Sequence, residues 1–321
     1  MVIGQLDKLC WRRGMNMDER FQFACAPVSW GVGDYPDASW KQPYETILDE
    51  IAECGYTGTE LGPFGYFPAN PAVLRPVLER RGLKMLSSFV PVALSDAASA
   101  AKVIEHIRQV GSLLAAMGAP CIVLADEQSP GRERIAGRVP SDGSKGLSAE
   151  QWRNVASIVA SASEVAADFG LALVFHPHVA TYVETPAEVA AFFDVTGKSG
   201  IGLCLDTGHC YYGGGDPAVE ADKYKHVLRY LHIKDIDRSV LDECHRKQLD
   251  FNQSVEAGVF TPIGDGCLDF PGFFARVATN DYRGWCVVEQ DIKFGVSPVA
   301  PKESMRASLR YLRGVVGNIP G

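Results

Sequence analysis

Short apolar runs rich in valine, isoleucine, leucine and phenylalanine alternate along the chain with longer stretches whose apolar residues recur at helical spacing. Alternation of this kind is what consecutive strand–helix units look like in sequence. The pattern predicts strands over 21–26, 57–61, 84–90, 121–124, 171–176, 201–205, 230–234 and 285–289. Helices are predicted over 43–54, 72–81, 97–117, 149–169, 186–193, 218–224, 271–279 and 301–312. Helix-start chemistry supports several of these: Ser148 precedes AEQW, Thr185 precedes PAEV and Asp216 precedes PAVE, the last two with proline at the first helical position. Eight strands each followed by a helix is the count of an α/β TIM barrel, (β/α)8, in which reacting groups gather at the C-terminal ends of the strands. A doubly wound sheet would need a glycine-rich phosphate turn after its first strand, and APVSWGVGDYP contains no GxGxxG. Residues 21–321 read as one barrel domain, preceded by an unpatterned N-terminal arm over 1–20 in which Met15 or Met17 is an alternative start. Two polar, glycine-containing segments, 126–145 and 236–269, are expected as loops over the site or at a subunit contact.

Composition narrows the partner. Of the 321 residues, 46% are hydrophobic and 22% charged, enough apolar material for a large core, which excludes a disordered or fibrous chain. Lys plus Arg is 31 against 39 for Asp plus Glu, and the formal charge of -8 disfavours nucleic acid or anionic membrane and favours a small molecule. The nine cysteines are scattered with no CxxC, as expected for reduced thiols in a cytoplasmic protein. No run reaches the ~18 apolar residues of a membrane span, and the N-terminus has no signal-peptide core.

The histidines carry the first sharp chemical signal, because five of the seven (His176, His178, His209, His226, His232) fall within 57 residues. LALVFHPH, IGLCLDTGH, YLHIKD and WCVVEQD all begin apolar and finish in carboxylates or imidazoles, as strands do when they pass from a barrel core to its mouth. Asp206, His232 and Glu289, each at a strand end, form a mixed oxygen and nitrogen donor set suited to Mn²⁺, Co²⁺, Zn²⁺ or Mg²⁺. A fourth ligand is expected from the fifth unit, where Glu184, His176 and His178 are available; Glu184 is preferred because its charge would offset the dication. His226, His106 and His245 are read as surface or packing residues.

Trp30 and Glu60 end the first two strands and are placed as contacts to a polyol, with His176, His178 and Asp235 as further substrate-binding groups. Gly213, Gly214 and Gly215 before Asp216 could cradle a phosphate, or form an ordinary turn. There is no GxSxG, HExxH or Walker loop.

In APVSWGV, TELGPFGYFP, FHPHVATYVET, LCLDTGHCYYGGGDP, HIKDID and VVEQD the chain resembles the xylose-isomerase-like TIM barrel superfamily, and within it the inosose dehydratases of myo-inositol catabolism. The resemblance puts the metal aspartate, histidine and last glutamate on Asp206, His232 and Glu289, and turns His209 toward substrate. It implies one divalent ion, Mn²⁺ or Co²⁺ first, with glutathione in some members. Sugar epimerases of the superfamily carry a metal-binding glutamate at the end of strand five, where this chain has Val174, Phe175 and His176. The implied reaction removes water from 2-keto-myo-inositol, with Glu184 or Glu289 as base, His209 or His176 protonating the departing hydroxyl, and Lys234 beside the developing oxyanion. A ketose isomerase or epimerase is the alternative. An apurinic-site endonuclease and a non-catalytic sugar-binding barrel are lesser ones, and a homo-oligomer is compatible with all.

Overall fold

The computed structural model describes residues 20–33, 42–293, 295–296 and 299–319. The expected N-terminal arm, apart from Arg20, lies outside the described residues. All eight predicted strands are present, and the chain is a (β/α)8 barrel. The ring strands are β1 (Phe21–Cys25), β2 (Gly58–Thr59), β3 (Lys84–Met85), β4 (Phe89–Val92), β5 (Cys121–Asp126), β6 (Ala172–Phe175), β7 (Gly202–Asp206), β8 (Leu228–Ile233) and, after two short strands outside the ring, β11 (Gly284–Val288). Each pairs in parallel with its neighbours, in the order β3-β2-β1-β11-β8-β7-β6-β5-β4. The predicted third strand is thus two pieces of one segment, broken at 86–88: β3 pairs with β2 and β4 with β5, which brings the ring back to its own start.

A strand period of two sorts the side chains. Cys25, Leu203, Leu205, Cys286 and Val288 face outward into a core shared with the surrounding helices. Their neighbours Ala24, Ala26, Val174, Cys204, Tyr230, Trp285 and Val287 form a separate apolar cluster that fills the barrel interior. Continuing the inward parity to or just past the ends of four adjacent strands gives His176, Asp206, His232 and Glu289 as one tier above that plug. A further two residues give His178, Gly208, Lys234 and Asp291 as the next.

Helix starts follow the predicted chemistry. Ser148 and Thr185 close capping boxes with Gln151 and Glu188, and Asp216 caps Pro217–Lys223 through the Ala218 and Val219 amides. Three segments depart from expectation. Residues 236–269 are not a loop: they hold helices Arg238–Lys247 and Phe251–Glu256 and an antiparallel pair, β9 (Asp235–Ile236) with β10 (Phe260–Thr261). The first of these helices is missed because RSVLDECHRK buries only Leu241 and Cys244. The connection after β5 carries a single helical turn at Pro130–Glu133, capped by Ser129. Thr207–Tyr212 is helical as well, with Asp206 as its cap. No helix among the described residues is long and apolar enough to cross a membrane. The described cysteines are all free.

Candidate active site

A cavity of about 680 Å³ opens at the C-terminal end of the barrel, where Glu60, His176, His178, His232, Lys234, Glu289 and Asp291 line its floor. Phe89 and Phe251 supply apolar wall, and Asp126, Glu127 and Glu133 lie among its lining residues.

The floor is a dense charge network. His232 Nε2 meets Glu60 Oε1 at 3.1 Å, and Glu60 also accepts from Ser87 Oγ at 2.6 Å. His232 Nδ1 points the other way, 3.0 Å from Glu289 Oε2 and 4.0 Å from Asp206 Oδ2, without a well-formed hydrogen bond. Lys234 Nζ stands 3.2 Å from Asp206, 3.1 Å from Glu289 and 3.0 Å from Asp291. Its stem passes over Gly208, whose missing Cβ would lie 2.6 Å from the Lys234 Cβ. Only glycine leaves that passage open. Asp206 divides its oxygens: Oδ1 caps the following helix through the His209 amide at 2.8 Å, while Oδ2 faces Lys234 and His176 Nε2, the latter at 3.4 Å.

Burial raises the cost of charge at every one of these groups, and the partners decide the outcome. Burial opposes ionisation of Asp206, yet Lys234, His209 and His176 hold its carboxyl well below the usual range. Glu289 is likewise opposed by burial and pulled down to about 2 by His232 and Lys234. The Lys234 ammonium is held well above its ordinary value against burial by Asp206, Asp291 and Glu289. His232 is also held up against burial, by Cys204, Glu289 and Glu60. Burial drives His178 and His209 the other way, well below the ordinary imidazole value, with neighbouring cationic groups adding to it. In neutral His178 the Nδ1–H donates to the Val179 carbonyl oxygen at 2.6 Å, leaving Nε2 as the acceptor.

Four sets of three buried residues bring donor atoms within 4.8 Å of one another: Glu60–His232–Glu289, His176–Asp206–His209, His178–His209–Asp291 and His176–Cys204–His232. Asp206, His232 and Glu289 do not themselves make up one such set: His232 and Glu289 fall in the first and Asp206 in the second, with His232 Nδ1 3.0 Å from Glu289 and 4.0 Å from Asp206. Carboxylate oxygens and imidazole nitrogens brought together in this way are the donor types that a divalent ion takes.

Several expected site residues stand elsewhere. Glu184, expected as fourth ligand and base, has its carboxylate turned away from the cavity, accepting from the Gly137 amide at 2.7 Å and the Ala180 amide at 2.8 Å. His176 occupies the tier position where that ligand was sought. Trp30 belongs to the core: it is 1% exposed on a short 3-10 turn, its indole donating to Glu50, and it does not line the cavity. Asp235 organises the loop after β10, accepting backbone amides from Gly264, Gly266 and Leu268. His209 lies behind the floor, its Nε2 3.0 Å from Lys234 Nζ and 3.3 Å from Asp291. Gly213 and Gly215 form a packing turn, with no Cβ to meet the Glu184 carbonyl at 2.7 Å and Cys210 Sγ at 2.8 Å; no phosphate cradle is built there. Asp291 was missed, although it follows Glu289 at the same inward parity as Lys234 follows His232.

Residues 48–315 match the model of the xylose isomerase-like TIM barrel family. An inosose dehydratase of Geobacillus kaustophilus is 32% identical over 84% of this chain and 87% of its own length. The chain belongs to the inosose dehydratase family. A second relative in sequence, the rhizopine catabolism protein MocC of Rhizobium meliloti, is 34% identical over 87% of this chain and 84% of its own. Among solved structures, the IolI protein with a bound zinc atom superposes with a TM-score of 0.68, covering 94% of this chain and 99% of that one at 14% identity, which bears on the fold alone. Membership of the inosose dehydratases thus joins a barrel with clustered histidine, aspartate and glutamate donors at its rim to a family named for a dehydration.

Proposed function

We propose that the protein is a metal-dependent hydro-lyase that removes water from 2-keto-myo-inositol or a close keto-polyol. The carrying observation is the floor of the cavity, where Lys234 is fixed by three carboxylates beside His232, whose Nδ1 lies 3.0 Å from Glu289. Asp206, His232 and Glu289, with His176 beside them, would hold the ion, Mn²⁺ or Co²⁺ in the first instance. When bound, the ion supplies Lewis-acid polarisation of the substrate's ketone and adjacent hydroxyl oxygens.

The remaining work falls to the chain's own side chains. Phe89 and Phe251 offer flat apolar faces to the C–H faces of a ring, while Glu60 and Asp291 accept from its hydroxyls. The Lys234 ammonium is anchored before substrate arrives, and turning one N–H from its present acceptors to the ketone oxygen stabilises negative charge developing there. His178 lines the cavity in its neutral form with Nε2 as acceptor, and serves as base for the proton next to the carbonyl. The same proton then leaves Nε2 for the hydroxyl on the next carbon, which departs as water. His209 acts through Lys234 and Asp291, positioning both.

The test is the ultraviolet absorbance of the conjugated dione product on adding inosose. A rise abolished by chelator and restored by Mn²⁺ or Co²⁺ supports the proposal. Sugar epimerisation uses the same proton transfer without expulsion of water, so NMR of the products from inosose and from a panel of ketoses separates the two reactions.

A further inference from the structure

Arg132 is 1% exposed, on the connection that follows β5, and no step above uses it. Its guanidinium forms a two-pronged pair with Glu188, at 2.7 and 2.9 Å, and donates to the Lys145 carbonyl oxygen at 3.2 Å. Its Nη2 also lies 3.8 Å from Glu184 Oε2. Glu184, equally buried, ties the Gly137 amide of this connection to the Ala180 amide of the one after β6. A third tie runs from the Ser129 amide to the Ala180 carbonyl oxygen at 3.2 Å. Both connections face the cavity. The first contributes Glu127, Gln128, Pro130 and Glu133 to its wall, and the second carries His178.

A buried ion pair stabilises little more than an apolar contact of equal volume, but it holds a definite geometry, and losing one partner leaves a charge stranded. We propose that Glu184 and Arg132 form a clasp that holds residues 127–147 as a strap over the cavity, making both positioning residues for substrate capture. The proposal concerns the placement of the cavity wall against His178 and stands whichever reaction the site performs. It also accounts for a carboxylate, in a strand-end segment, that faces away from the floor.

Amide hydrogen exchange in the full chain tests it. In Glu184→Ala, exchange across residues 127–147 should quicken at least tenfold while β7 and β8 keep their protection; Glu184→Gln, whose carbonyl still accepts one amide, should restore most of it. Arg132→Lys should loosen the same strap and serves if Glu184→Ala does not fold. With inosose as substrate, Glu184→Gln and Arg132→Lys should raise KM several-fold and leave kcat within about twofold. Unchanged exchange in the strap, or equal loss of protection across strap and barrel strands, overturns the clasp. Absence of inosose turnover would bear on the reaction and leave the exchange result standing.

Discussion

Lys234 Nζ lies 3.0 Å from His209 Nε2, at a point where three carboxylates also converge on the ammonium. The neutral imidazole accepts from the ammonium, so four acceptors share its three N–H bonds and hold the lysine in one place. Lys234→Met would strand Asp206, Glu289 and Asp291 in a buried setting, with an expected loss of about 3–5 kcal/mol of stability and of turnover by at least a thousandfold. Denaturant unfolding and single-turnover kinetics measure the two losses separately.

Gly208 gives a second handle on the same lysine. A methyl group there would sit 2.6 Å from the Lys234 Cβ and 3.1 Å from the Phe260 ring, so Gly208→Ala should cost about 1–3 kcal/mol by overpacking. If the unfolding midpoint does not move, the backbone around β8 has more freedom than the packing implies.

His178→Gln tests the base. The amide keeps the size and polarity of the ring but cannot take up a proton, so kcat should fall by roughly a hundredfold to ten-thousandfold with substrate affinity little changed. Loss of affinity with kcat preserved would reassign His178 to binding.

Metal loading follows from the donor set. Asp206→Asn should lower the bound divalent ion well below one per chain and abolish turnover, while its helix-capping oxygen keeps the fold. Elemental analysis of dialysed protein alongside circular dichroism checks both parts.

Stability should depend on pH in a defined sense. Burial raises the Glu184 carboxyl from 4.5 to about 7 and Asp126 from 3.8 to about 6, so between those values the folded chain keeps protons that the unfolded chain has released. Stability contributed by each group is therefore present in acid and lost as pH climbs through the folded value, by roughly 3 kcal/mol for Glu184 alone. Glu184→Gln cannot ionise, and its unfolding free energy should be correspondingly flatter between pH 5 and 7.

Much of this arrangement is legible in the sequence because a strand's period of two is rigid. Once Val287 and Tyr230 are inward, Glu289 and His232 must be, and the four strand ends that switch from apolar to charged mark the rim directly. That logic weakens as soon as the chain leaves the strand. Glu184 lies eight residues beyond His176, and its destination is set by amides at Gly137 and Ala180 that no local pattern announces. Trp30 sits on a 3-10 turn, where inward parity no longer applies. Asp291, by contrast, follows from the same rule that marks Lys234, two residues past the inward Glu289. The helix Arg238–Lys247 has too narrow an apolar stripe to stand out, since its stability comes from its Asp237 cap and from Leu241 and Cys244 against the body of the protein.

The interruption at 86–88, where the ring meets itself, has a chemical effect. Released from regular pairing, the Ser87 hydroxyl turns inward to Glu60, the carboxylate that braces the far nitrogen of His232. The seam by which the cylinder closes therefore also steadies the imidazole that would face the ion, and straightening the chain there would loosen chemistry on the opposite wall.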